Sequence, residues 1–243
     1  MAEGPVVGAA RTPLMLVPGL LCDERLWWHQ AEHLEDLVEP VIADVTEGAS
    51  IPEMARAVLE AVPEERFALV GLSMGGYVAL EIMRVAPERV ERLALLDTSA
   101  RADTPEQTEG RLELIGLARE GRFREVARRL LPKIVHADRL DDEGLASTVF
   151  AMAEAVGPEA FVRQERAIIG RPDSRGDLPG IAACPTLVLC GREDALMPVE
   201  VHEEMASLIP DSRLHVVEEC GHLSTLERPE EVTAAMRGWL GTA

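Results

Sequence analysis

The residues with the most chemical content are Gly71-Leu72-Ser73-Met74-Gly75. The serine sits between small residues, after an apolar run at 67–71 that reads as a strand and before a helical run at about 75–85. A tight strand-to-helix turn of this kind lifts a serine hydroxyl off the sheet edge and sets it beside helix amides. The chemistry that suits this turn is nucleophilic attack on a carbonyl, with the Met74 amide binding the oxyanion. A Gly-rich turn also suits a phosphate, but neither G-x-x-x-x-G-K-[ST] nor G-x-G-x-x-G is present.

A serine hydroxyl needs a base, and the base needs an orienting acid. Of six histidines, His222 in Cys220-Gly221-His222 lies just past the last strand, where an open α/β sheet gathers its functional loops. His202 on a helix and His215 in a strand read as structural or surface residues, and His136 has no evident partner. Two acids compete. Asp194 follows the fifth strand in Gly191-Arg192-Glu193-Asp194, and Asp97 follows the fourth in Leu96-Asp97-Thr98. Asp194 is favoured, Glu193 is a weaker substitute, and capping a turn is the other role open to both aspartates.

The elements that position these residues alternate. Strands are expected at 13–17, 41–45, 67–71, 90–96, 186–190 and 213–217. Helices are expected at 27–37, 51–62, 75–85, 199–208 and 229–240. Ser50 followed by Glu53 marks one helix start. This rhythm predicts an α/β fold: a mostly parallel, doubly wound sheet of about six strands with helices on both faces. It changes between 103 and 178, where helical runs at 105–120, 122–131, 142–156 and 158–169 follow one another without a strand. Their stripes (Leu112, Ile115, Phe123, Val126, Leu130, Val149, Met152) read mostly as core. The expected organisation is a core of 1–102 and 179–243 with a helical cap insertion at 103–178, one domain overall.

The order Ser73, Asp194, His222 is that of the α/β-hydrolases, and the chain resembles small, capped, single-domain members of the esterase and lactonase kind. Leu16-Val17-Pro18-Gly19-Leu20-Leu21-Cys22 is similar to the loop that supplies half the oxyanion hole. Residues 72–76 are similar to the nucleophile elbow, 191–198 to the acid loop and 220–229 to the histidine loop. The resemblance implies that the Leu20 amide joins that of Met74 in binding the oxyanion, and that neither metal nor organic cofactor is needed. It implies hydrolysis of a small or medium ester, lactone or thioester through an acyl-enzyme. A serine at 73 argues against the dehalogenase and epoxide-hydrolase members, which use a carboxylate there. Pro18-Gly19 departs from the family's frequent His-Gly, and the short N-terminus leaves little room for its first antiparallel strands. Leu20, Leu21, Trp27 or Trp28, Met197, Leu223 and Phe150 or Phe161 are candidate pocket walls. Cys22 and Cys220, beside the oxyanion and histidine loops, raise the question of oxidation sensitivity.

Other readings remain. The same three residue types serve carbon–carbon bond hydrolases, lyases and perhydrolases, and a ligand-binding protein with a vestigial site. His29-Gln30-Ala31-Glu32-His33 matches H-x-x-E-H, but Trp27, Ala31 and Leu34 form the apolar stripe and leave both histidines on the wet face.

Composition narrows the partners. The 243 residues carry 24 basic and 43 acidic side chains, a net charge of −19, which argues against nucleic acid and against an anionic membrane surface. Lys133 is the only lysine. No signal-peptide pattern and no apolar stretch of spanning length is read, so the four cysteines are expected as reduced thiols of a cytoplasmic protein. The expected partner is a small-molecule substrate.

Overall fold

The computed structural model describes residues 11–182 and 184–241, so most of the N-terminal segment read for targeting lies outside the described residues. Six strands form one sheet: β1 (Pro13–Val17), β2 (Glu39–Ile42), β3 (Phe67–Leu72), β4 (Val90–Leu96), β5 (Thr186–Gly191) and β6 (Arg213–Val217). Their order is β2-β1-β3-β4-β5-β6 and every pairing is parallel. Around them lie α1 (Trp28–Leu34), α2 (Ile51–Ala61), α3 (Met74–Val85), α7 (Val199–Leu208), α8 (Ser224–Glu227) and α9 (Pro229–Leu240). The segment between β4 and β5 holds α4 (Pro105–Arg119), α5 (Phe123–Ile134) and α6 (Glu143–Ile169).

Buried parallel strands read as continuous apolar runs because both faces are covered. Alternate side chains divide between two cores. Met15, Leu69 and Leu95 face Met54, Val78 and Met205 of α2, α3 and α7. Leu16, Val70 and Leu96 face Leu34 and Met236 of α1 and α9. The chain leaves β1 one way, to β2, and leaves β3 the other way, to β4. The loops after β1 and β3, which carry Gly19 and Ser73, therefore flank the point where connections diverge and leave a crevice.

Several boundaries move. β2 begins and ends earlier than 41–45, because Glu39–Ile42 is the stretch in register with Pro13–Leu16. A 3-10 turn at Glu24–Trp27, capped by Asp23, precedes α1, and Leu37 at the expected helix end is 41% exposed. At α2 the Ser50 hydroxyl accepts from the Glu53 amide, and the Glu53 carboxylate returns to the Ala49 amide. Leu112, expected in the core, is 55% exposed, since α4 buries Ile115, Leu117 and Ala118 instead.

Gly157, at φ 78° and ψ 167°, divides α6 into two helices as the sequence expectation had it. By length and composition α6 is apolar enough to cross a membrane, against the expectation that no such stretch exists. It is broken at Gly157 and buries Gln164 and Glu165 inside the protein.

Candidate active site

Ser73 stands between β3 and α3 with φ 54° and ψ −115°, a left-handed backbone that a non-glycine residue enters only at a cost. The surroundings hold it there. Its amide donates to Leu96 O at 3.0 Å and its carbonyl accepts from the Thr98 hydroxyl at 2.7 Å. The Thr98 amide in turn donates to His202 Nε2 at 3.0 Å. Burial pushes His202 down to about 4, so its ring is a neutral acceptor. The turn also requires Gly75: a Cβ there would lie 2.1 Å from Val17 O. The Met74 amide opens α3, and the first amides of a helix have no partner within it.

The Ser73 hydroxyl is 2.8 Å from His222 Nε2. His222 Nδ1 is 2.7 Å from Asp194 Oδ2, so Nδ1 carries the proton and Nε2 is free to accept from the serine. Asp194 Oδ1 accepts from the amides of Leu196 and Met197 at 2.8 and 2.9 Å, which fixes the carboxylate. Burial alone would push the His222 ring down, but the charge of Asp194 and the hydrogen bond to it prevail and hold the ring above its ordinary value. The structure thus brings Ser73, His222 and Asp194 together in one hydrogen-bonded chain. Asp97, the competing acid, does not touch the imidazole: it accepts from the Gly191 amide at 3.1 Å and from the Ser224 hydroxyl. Glu193 accepts from the Cys220 amide at 3.0 Å and is exposed.

Ser73 and His222 open into a cavity of about 520 Å³ walled by Leu20, Leu21, Leu130, Met152, Met197 and Leu223 among others. Trp27, Trp28, Phe150 and Phe161 do not line it. Trp27 is in the core beside α1, Trp28 is 58% exposed, and Phe161 packs on Phe123 within the insertion. His29 shares a hydrogen bond with Thr233 at 2.9 Å and stacks on His33, while Glu32 is exposed. The H-x-x-E-H run therefore lies on a helix surface away from the cavity. Among the described residues no group of three or more potential ligand side chains is placed to hold a metal. Cys22 lines the cavity and burial pushes its thiol up to about 12. Burial pushes the Cys220 thiol up as well.

Residues 46–229 match the family described as alpha/beta hydrolase fold. The chain belongs to that family. This α/β hydrolase is 28% identical over 197 residues to a 2-hydroxy-6-oxononadienedioate/2-hydroxy-6-oxononatrienedioate hydrolase of Paraburkholderia xenovorans, covering 79% of this chain and 68% of the relative. It is 33% identical over 201 residues to a 2-hydroxymuconate semialdehyde hydrolase of Pseudomonas putida, with the same two coverages. A solved structure of a thermophilic esterase from Thermogutta terrifontis is 33% identical, with a TM-score of 0.86 over 96% of this chain and 90% of that one.

Four supports of the site in this α/β hydrolase were not read from sequence as supports. Glu227 accepts from the amides of Gly221 and Leu223 with one oxygen and from that of His136 with the other. The amides of His222 and Leu223 both donate to Ile134 O at the end of α5. His136, which has no evident partner in sequence, thereby joins the histidine loop to the insertion. Asp97 ties the acid loop to the histidine loop. Glu227 carried one signal, an acid in a short helix just after His222; His202 and Asp97 carried none that separates support from capping.

Proposed function

We propose that the protein is a serine hydrolase that cleaves a small or medium carboxylic ester, lactone or thioester. The observation that carries this is the chain Ser73 Oγ–His222–Asp194 at 2.8 and 2.7 Å, opening into an apolar cavity. Ser73 attacks the carbonyl carbon as its proton passes to His222 Nε2, and Asp194 stabilises the imidazolium. The amides of Leu20 and Met74 bind the oxyanion, each worth about 3 kcal/mol in the transition state. The tetrahedral intermediate collapses when His222 protonates the leaving alcohol. Water, activated by the same ring, then releases the acid from Ser73. On this reading residues 103–178 cap the site and the substrate is a small molecule. The chain needs no metal, cofactor, nucleic acid or membrane, and works in the cytoplasm.

The test is turnover of a p-nitrophenyl ester series by wild type and Ser73→Ala. Chelator-resistant hydrolysis that vanishes in the variant supports the reading, and equal hydrolysis by both sinks it. A second reading, carbon–carbon bond hydrolysis on the same residues, rests on the names of the Paraburkholderia and Pseudomonas relatives. Turnover of 2-hydroxymuconate semialdehyde with no turnover of any ester would favour it.

A further inference from the structure

Three consecutive amides, those of Gly221, His222 and Leu223, run through the loop that presents the imidazole, and each has an acceptor. One acceptor is the carboxylate of Glu227, the last residue of α8, which is 2% exposed. Its Oε1 takes the amides on either side of the histidine, Gly221 at 3.1 Å and Leu223 at 3.3 Å. The other is Ile134 O at the end of α5, which takes His222 and Leu223 at 3.2 Å each. A loop has no ladder of its own to fix it, so these two acceptors set where the histidine backbone lies.

Glu227 is itself held at both of its ends by residues that follow α5. Its Oε2 accepts from the His136 amide at 2.8 Å, and its backbone carbonyl accepts from the Arg139 guanidinium. Arg139 is fixed in turn by Asp142, just before α6, at 2.7 Å. The fit is close: a Cβ on Gly221 would lie 2.7 Å from His136 N and 2.9 Å from Glu227 Oε1. All three donors to the carboxylate are backbone amides, so it fastens two stretches of backbone to each other. Hydrogen bonds to an ionised acceptor are stronger than neutral ones.

We propose that Glu227 is a positioning residue for the reaction: by fastening residues 221–223 to the turn after α5, it holds the His222 ring between Ser73 Oγ and Asp194. This rests on the serine-hydrolase reading. The ring must take a proton from Ser73 and return it to the leaving group, and a displacement of about 1 Å at such a group costs about a hundredfold in rate. Glu227→Gln keeps the shape, but one carboxylate oxygen becomes an amide NH2 that faces an N–H donor.

The experiment is a double-mutant cycle on the best p-nitrophenyl ester: wild type, Glu227→Gln, Asp194→Asn and the pair. In the wild-type background Glu227→Gln should lower kcat about tenfold to a hundredfold and leave KM within about threefold. In the Asp194→Asn background, where the ring has already lost its orientation, the same change should cost less than about threefold. Equal factors in the two backgrounds overturn the proposal, because a general loosening of the fold lowers both alike. A wild-type kcat in Glu227→Gln overturns it too. Gly221→Ala displaces the same contacts with the charge left in place. It should show the same pattern, and it decides the matter if Glu227→Gln does not fold. If wild type turns over no ester, the serine-hydrolase reading fails on its own, and proton NMR then decides the positioning. The His222 Nδ1 proton should exchange with water about tenfold faster or more in Glu227→Gln than in wild type. Equal exchange, or no protected proton in either, overturns it.

Discussion

Asp97 holds Ser224 across 127 residues of chain, accepting its hydroxyl with Oδ2 while Oδ1 accepts the Gly191 amide. The acid loop and the histidine loop are thus tied through one buried carboxylate. Burial first, and the neighbouring Asp194 second, push Asp97 up to about 8, whereas an unfolded chain restores it to about 4. The folded state binds the extra proton between those values, so this group's contribution to stability is fully present below about 4 and is lost as pH rises toward 8. Asp97→Asn should remove that loss. Melting temperatures of wild type and variant at pH 5 and pH 8 check it, and the fall over that interval should be smaller in the variant. Equal falls would mean that Asp97 does not hold the proton.

The strained turn at Ser73 makes a prediction of opposite sign for stability and activity. A non-glycine residue in such a region costs about 1–3 kcal/mol, and glycine in exchange adds about 1 kcal/mol of unfolded-state freedom. Ser73→Gly should melt no lower than wild type, and up to about 5 °C higher. Its hydrolysis should fall by about a thousandfold or more. Calorimetric melting beside an ester assay tests both.

The pH profile follows from His222. Its ring is held above the ordinary value near 6.5, and the reaction needs it neutral. The acid limb of kcat/KM should therefore lie above about pH 6.5, with activity lost as pH falls through it. Asp194→Asn should move the limb to lower pH and cut kcat by about 10⁴. A limb below 6 in wild type would contradict the Asp194 pairing.

Position 74 and position 75 separate backbone from side chain. On the proposed reading the Met74 contribution is its amide, so Met74→Leu should leave kcat within about threefold. Gly75→Ala places a Cβ against Val17 O and should cost more than about 3 kcal/mol, seen as a melting point lower by several degrees or as insoluble protein.

The thiols should be inert. Cys22, pushed to about 12, and Cys220, pushed up by burial, are thiols and not thiolates at neutral pH. Iodoacetamide at pH 7 should leave full ester hydrolysis; a progressive loss would show that one of them is accessible and reactive.

The sheet, the elbow and the helical segment were legible because their signals are local. An apolar run ending in Gly71-Leu72-Ser73 needs no tertiary information to be read, and Gly157-Pro158 marks its own break. The choice between Asp97 and Asp194 was narrowed, not closed, because both follow strands at the same sheet edge; only the distance to His222 Nδ1 separates them. The pocket walls were half legible. Leu20, Leu21, Met197 and Leu223 sit on loops whose place the sheet dictates, while Phe150 and Phe161 depend on which side of α6 faces inward.

Gln164 bears on how a molecule reaches the serine. Its Oε1 accepts from the Leu21 amide at 3.2 Å and its Nε2 donates to Val45 O at 3.3 Å, both buried. The second half of α6 is in this way bolted to the loops after β1 and β2, beside the Leu20 amide. The ends of the cavity that meet solvent are instead marked by Glu106 and Gln107 on α4 and by Arg129 and Lys133 on α5. The exposed part of the cavity lining thus lies on α4 and α5, away from the bolted half of α6.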